Sequence, residues 1–178
     1  MSENLSVSHF LNKDSIPEAK TAEEWQTLNK AGKAAWCYYN FDTANGSKYG
    51  KLYNWYAVND PRGLVPKGWH VPTNADWEMM VNSQGGVNYA GNKLKGTEGW
   101  LSKTYITNLT GFTGLPGGQC LSTGTFSDLN NRAYWWTTSG EVASGNQIYS
   151  VSLINASFKV MYLKQDKEMG LSVRCIKD

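Results

Sequence analysis

Two spacings of hydrophobic residues divide the chain. In TAEEWQTLNKAGK, Thr21 stands three residues before Glu24, the arrangement in which two side chains satisfy orphan N–H groups at a helix start. Trp25 and Leu28 then fall on one face, and Gly32 offers a stop. In GWHVPTNADWEMM, Thr73 and Asp76 repeat that pattern, Trp77, Met80 and Val81 follow at helical spacing, and Gly85-Gly86 ends the run. Each stretch predicts a helix. Pro72 restricts His70-Val71 to an extended entry, so His70, Pro72, Thr73 and Trp77 read as a structural corner that sets the angle of the second helix. Between the helices, AAWCYYNF and GKLYNWYAV are rich in aromatic and β-branched residues and flank the turn-forming DTANGS, which predicts two strands.

From about Gly111 the pattern changes to period two. GLPGGQC, GTFSD, RAYWWTTS, QIYSVSL, SFKVMYL and GLSVRCIKD read as strands, the fourth and fifth joined through Ile154-Asn155-Ala156. Tyr149, Val151 and Leu153 alternate with Ser150 and Ser152, and Phe158, Val160 and Tyr162 alternate with Lys159 and Met161. Each strand is expected to bury the first set and show the second. Helices first and strands later give an α+β class. No internal repeat or linker interrupts the chain, and its length suits one domain over 1–178.

Composition narrows the function classes. Aromatics and 18 Gly favour a turn-rich, β-containing fold. A net charge of only +2, with scattered basic residues, argues against nucleic acid and anionic membrane as partners. No apolar run approaches the roughly 18 residues of a span, so no membrane insertion is expected, and MSENLSVSHF has no signal-peptide pattern. Cys37, Cys120 and Cys175 lack CxxC spacing; three free thiols and one bridge plus a free thiol both remain open. His70 and His9 have no Ser or Cys pattern nearby that would make a triad, and Glu23, Glu24, Asp76 and Glu78 are helix-start acids. Asp60, Asp128 and Asp166 fall in turns. No catalytic residue, cofactor or metal is expected.

YGKLYNWYAVND, GWHVPTNADWEMMVNSQGG, GNKLKG, GFTGLPGG, AYWWTTS and GLSVRCIKD, in that order over nearly the whole chain, resemble the successive blocks of the Fibrobacter succinogenes major paralogous domain, a family found mostly in Bacteroidetes. MSENLSV resembles the family's WMxENL block, in which the Met is internal, and so implies that Met1 lies within a longer natural chain. HVPTNADWEMMVNSQGG and GLSVRCIK are also similar to blocks of the formylglycine-generating enzyme group, a branch of the C-type lectin-like fold. That likeness implies paired helices on a small twisted, mainly antiparallel sheet, with the termini meeting. It also implies Cys37 and Cys175 as the pair that an oxidising location would bridge. The group's activity needs two reactive cysteines, whereas only Cys120 stands after LPGG. No EPN or QPD suggests a calcium-dependent lectin site.

What remains is recognition. The outward-type positions between Asn130 and Met169 are Asn131, Arg132, Tyr134, Asn146, Gln147, Ser150, Ser152, Asn155, Lys159, Met161, Lys164, Gln165 and Asp166. Tyr supplies rigid contact area, and Asn and Ser supply adaptable hydrogen bonds. The expected ligand-binding set is Arg132, Tyr134, Asn146, Gln147, Lys159, Met161, Lys164 and Gln165, on one sheet face. The resemblance implies display outside the cell or on its surface, a glycan or protein ligand, and kinship with the variable targets of diversity-generating retroelements. A structural or adhesive domain without a discrete ligand, and a divergent enzyme of the formylglycine-generating type, are the alternatives.

Overall fold

Backbone groups at the helix starts decide where the chain turns. The computed structural model describes residues 1–141 and 145–178. Helix α1 (Ala22–Lys30) begins where the Thr21 side chain accepts the Glu24 N–H. Glu24 accepts the Lys20 N–H at 2.7 Å, one residue before the position a reciprocal box would use. Helix α4 (Asn74–Ser83) has the complete box, with the Thr73 N–H donating to Asp76 at 2.8 Å. Trp25 and Trp77 are buried beneath these helices, and Gly32, Gly85 and Gly86 follow with positive φ.

The expected early strands are mostly something else. Only Trp36–Cys37 (β1) and Leu52–Tyr53 (β2) pair, antiparallel. DTANGS is not a turn: Asp42 accepts the Ala44 N–H and starts a helix over Thr43–Tyr49 (α2). The run Trp55–Val58 is a helical turn (α3), because buried Asn54 caps it. Asn54 Oδ1 accepts the Ala35 and Ala57 N–H groups, and its amide donates to Asn29 Oδ1 and the Lys33 carbonyl, so all four hydrogen-bonding positions are filled. This local capping overrides the β-propensity of the aromatics.

The later half is made of small antiparallel sheets. Trp69–His70 (β3) pairs with Ile176–Lys177 (β9), after the helical turn Gly91–Leu94 (α5) Gly117–Cys120 (β4) pairs with Phe126–Leu129 (β5), and Arg132–Glu141 (β6), Gln147–Ile154 (β7) and Val160–Asp166 (β8) form one sheet in the order β6-β7-β8. The segment Gly170–Ser172 makes single bridges to Cys120, Tyr53 and Trp135, lacing β4, β2 and β6 together. The class is α+β, with small antiparallel sheets and few helices among the described residues. No strand pairs with the outer edge of β8 among the described residues.

The β6-β7-β8 sheet is covered on both faces. Tyr134, Trp136 and Ile148 enter one core with Tyr53, Leu171 and Val173, and Ala133, Trp135, Val151, Leu153 and Val160 enter another with Trp77, Val81, Leu94 and Trp100. A third core gathers Ala19, Trp25, Ala35, Cys37, Leu52 and Cys120. Ser150 and Ser152, expected to face solvent, are therefore fully buried, and their hydroxyls have no hydrogen-bond partner. Phe158, expected inside, is exposed.

The chain ends lie together. The Leu5 N–H donates to the Val173 carbonyl at 2.8 Å, and buried Arg174 donates to Asn4 Oδ1, the Met1 carbonyl and the Phe112 carbonyl, with its guanidinium 4.3 Å from the Phe112 ring centre. Burial pulls its pKa down to about 10, which still leaves it charged at neutral pH.

Three substitutions test this architecture by urea unfolding. Thr73→Ala should cost about 1 kcal/mol through the lost cap, and Trp77→Ala about 3–5 kcal/mol through the cavity it leaves. Gly118→Ala should cost about 1–3 kcal/mol or more, because Gly118 has φ +63° and an added Cβ would lie 2.4 Å from the Ser127 carbonyl oxygen. A neutral result at Gly118 would contradict the β4-β5 register.

Candidate functional site

The eight residues expected to form one recognition face do not do so. Register places Arg132, Met161 and Gln165 on one face of the β6-β7-β8 sheet, and Gln147 and Lys164 on the other. Lys159 precedes β8 and Asn146 precedes β7, both exposed. Tyr134 is only 2% exposed. Its hydroxyl donates to Asp128 Oδ2 at 2.8 Å and accepts from Arg132 Nη1 at 3.3 Å. A sheet with a core on each side has no open face across its centre, which is why the set is scattered. The expected stretch also runs through 142–144, which lie outside the described residues.

The corner that the sequence marks as structural lines a cleft instead of only filling a core. The cleft has a volume of about 510 Å³. Trp69, Pro72, Asp76, Trp77, Met80 and Gln84 form one wall, Thr110, Gly111 and Phe112 a second, and Arg174, Cys175, Ile176 and Lys177 a third, with Met1 and Ser2 at one end. Helix α4 supplies its residues at one-turn spacing, and the edge-to-face Trp77–Phe112 and tilted Trp77–Trp135 ring pairs, 5.4 and 5.7 Å between centres, hold the aromatic floor. The Trp77 indole N–H is buried without a hydrogen-bond partner.

His70 stands beside this cleft. Its Nδ1 lies 2.7 Å from Asp178 Oδ1 and its Nε2 lies 3.4 Å from Asp76 Oδ2. The hydrogen bond to Asp178, and secondly that to Asp76, raise its pKa above the usual 6.5. Asp76 is in turn held below the usual carboxylate range, first by the Thr73 hydroxyl. Thr73 is thus both cap and electrostatic anchor. Cys175 is the cleft residue with nucleophilic chemistry, and burial pushes its thiol up to about 11, which keeps it protonated at neutral pH. Aromatic walls with a few convergent charges have the composition of small-molecule sites in general.

A family model described as the Fibrobacter succinogenes major domain matches residues 1–177. The chain belongs to that family. No curated protein and no solved structure matches the chain. In this Fibrobacter succinogenes major domain, WHVPTNADW builds the cleft wall, LPGG leads into β4, YWW is the centre of β6, and GLSVRC laces the sheets and reaches the cleft. No helix of the described residues is long and apolar enough to cross a membrane. Among the described residues no group of three or more His, Cys, Asp or Glu is placed to hold a metal.

The cysteines correct the pairing that the resemblance implied. All three are free and buried, and Cys37 lies against Cys120 in the third core while Cys175 belongs to the first. Cys37 cannot reach Cys175 without leaving its core. Burial, then the neighbouring Cys120, raises the Cys37 thiol well above its ordinary value.

Two measurements follow. A thiol reagent such as a dinitrobenzoate disulfide should find no fast-reacting thiol in the folded domain and three after denaturation without reductant; a count of one would mean a bridge. Because His70 has a raised folded pKa, its stabilising contribution is present below about pH 6.5 and is lost as pH rises through that folded value. His70→Gln should therefore lower the melting temperature at about pH 5.5 and have little effect near pH 8.5. An equal effect at both values would show that the ion pairs with Asp178 and Asp76 contribute nothing.

Proposed function

We propose that this domain is a noncatalytic recognition module with a C-type lectin-like arrangement, carried outside the cell or on its surface by a secreted or lipid-anchored bacterial protein. Its protein or glycan ligand enters the cleft between α4, residues 110–112 and the C-terminal segment. One observation carries this reading: the cleft combines apolar walls from Met80, Phe112, Trp69 and Trp77 with charged groups from Asp76, Arg174 and Lys177. Binding sites in general have that composition, with apolar area for affinity and a few polar groups for orientation. The cleft replaces the sheet face as the proposed surface. The lectin-like arrangement is supported by the two longer helices α1 and α4, the small antiparallel sheets and the contact between Leu5 and Val173. Diversification by a retroelement belongs to the same proposal, as a property of the gene that encodes the parent protein.

Arrays of glycans and of cell-surface proteins, probed with the purified domain, test this reading. For a saturable hit, Met80→Lys and Lys177→Glu should each weaken binding by more than about tenfold, or roughly 1.4 kcal/mol, with little change in melting temperature. Lys164→Ala and Gln165→Ala should leave it unchanged. Affinity lost in the second pair and kept in the first would return the binding surface to β8.

A further inference from the structure

A separate recess of about 200 Å³ opens between the loop that carries Tyr105 and the loop joining β7 to β8. Tyr105 is 70% exposed and Phe158 40% exposed, and their rings are in contact, 5.5 Å between centres with planes at 66°. Single exposed aromatics are ordinary on a protein surface. Two that meet edge to face over a recess present a corner of exposed aromatic surface to a C–H-rich partner.

A second, independent feature of the same recess is Lys95. It is only 2% exposed, and its ammonium donates to the Ser157 carbonyl at 2.6 Å and lies 4.9 Å from the centre of the Trp100 ring. Both Lys95 and Ser157 line the recess. An ammonium carries three donors, and among the described residues one carbonyl accepts from it. No carboxylate lies within ion-pair distance of Lys95 among the described residues. The charge is correspondingly unfavourable, and burial alone brings the Lys95 pKa down to about 8. Ser102 and Thr104 add hydroxyls to the rim.

The recess is also held in shape. The Gly91 N–H donates to the Phe158 carbonyl at 2.7 Å and the Val160 N–H to the Val87 carbonyl at 2.8 Å, which fasten the β7-β8 loop. A Cβ at Gly91 would lie 2.6 Å from the Phe158 carbonyl oxygen, so this approach requires glycine. The facing loop is fastened by the Ser102 N–H to Asn155 Oδ1 at 2.8 Å and the Thr107 N–H to the Asn92 carbonyl at 3.0 Å. A site whose loops are already ordered spends little binding energy on ordering them.

We propose that this recess binds a saccharide bearing a carboxylate, with a sugar ring against Tyr105 and Phe158 and the carboxylate accepting hydrogen bonds from Lys95. A bare anion would leave the rings unused, and a neutral sugar would leave the ammonium without a counter-charge. At about 200 Å³ the recess is smaller than the roughly 300–1,000 Å³ of clefts that enclose drug-sized ligands, which suits one terminal ring of a longer glycan. The recess shares no lining residue with the cleft beside α4, so this inference stands apart from the function proposed there.

Calorimetric titration of the purified domain with trigalacturonic acid and with sialyllactose tests it, with maltotriose as the neutral control. At least one acidic saccharide should bind saturably with a dissociation constant in the millimolar range or below, about tenfold or more tighter than maltotriose. Tyr105→Ala and Phe158→Ala, both at exposed positions, should each weaken that binding by about tenfold, and Met80→Lys in the cleft should not change it. Lys95→Met should erase the preference for the acid. Because Lys95 is buried and its variant can fail to fold, the methyl ester of the same saccharide supplies the same test on the wild-type protein and should bind like the neutral control. Absence of saturable binding by both acids, equal affinity for acid and ester, or indifference to both aromatic substitutions would each overturn the proposal.

Discussion

Trp135 and Trp136 are neighbours in the chain and belong to different cores, because successive strand residues point to opposite faces. Much of the molecule is placed by that fact. Trp135 meets Trp77 of α4 on one side, and its indole N–H donates to Asn4 Oδ1 at 2.9 Å. Trp136 meets Trp55 of α3 on the other, ring centres 5.6 Å apart, and donates to the Tyr53 carbonyl at 2.8 Å. The β6-β7-β8 sheet is thereby an interior layer that orients a helix, a helical turn and the N-terminal segment around Asn4. With both faces covered, the open cavities lie in clefts and loops around the sheet.

Features fixed by a few adjacent residues were legible in the sequence. Thr73 and Asp76 specify the start of α4 with their own side chains, and Trp77 falls inward because helical spacing leaves it no other face. The same local logic, missed at Asp42 and Asn54, turns DTANGS and NWYAV from turn and strand into helices. A short aromatic run does not distinguish strand from helix by spacing, and a capping Asn decides it. Ser150 and Ser152 mislead for the opposite reason: their alternation with Val and Leu describes a half-exposed strand, and only a second core, assembled from distant segments, buries them.

The candidate site was legible only in its helix wall. Thr73 and Trp77 stand out in sequence, but Phe112 and Arg174 reach the same cleft through contacts that join the first residues, a mid-chain loop and the last strand. Nothing in the spacing of GLSVRC announces that its arginine will be buried against Asn4. Tyr105 and Phe158 likewise sit in loops whose meeting depends on how α5 and the β7-β8 connection are tied together.

The outer edge of β8 gives the charged residues there a different meaning. An unpaired strand edge offers a row of backbone donors and acceptors to any other extended chain, including another copy of the same protein. Beyond Val160, whose N–H is taken by the Val87 carbonyl, no strand pairs with the outer edge of β8 among the described residues, and Lys164 and Asp166 stand exposed on one face of that strand, with Lys159 at its approach. Pairing a second copy there would bring these charges into a confined, partly dehydrated seam. Charged residues that read in the sequence as a binding surface would, at such an edge, oppose the pairing of a second copy, a consequence of greatest weight wherever many copies are crowded together.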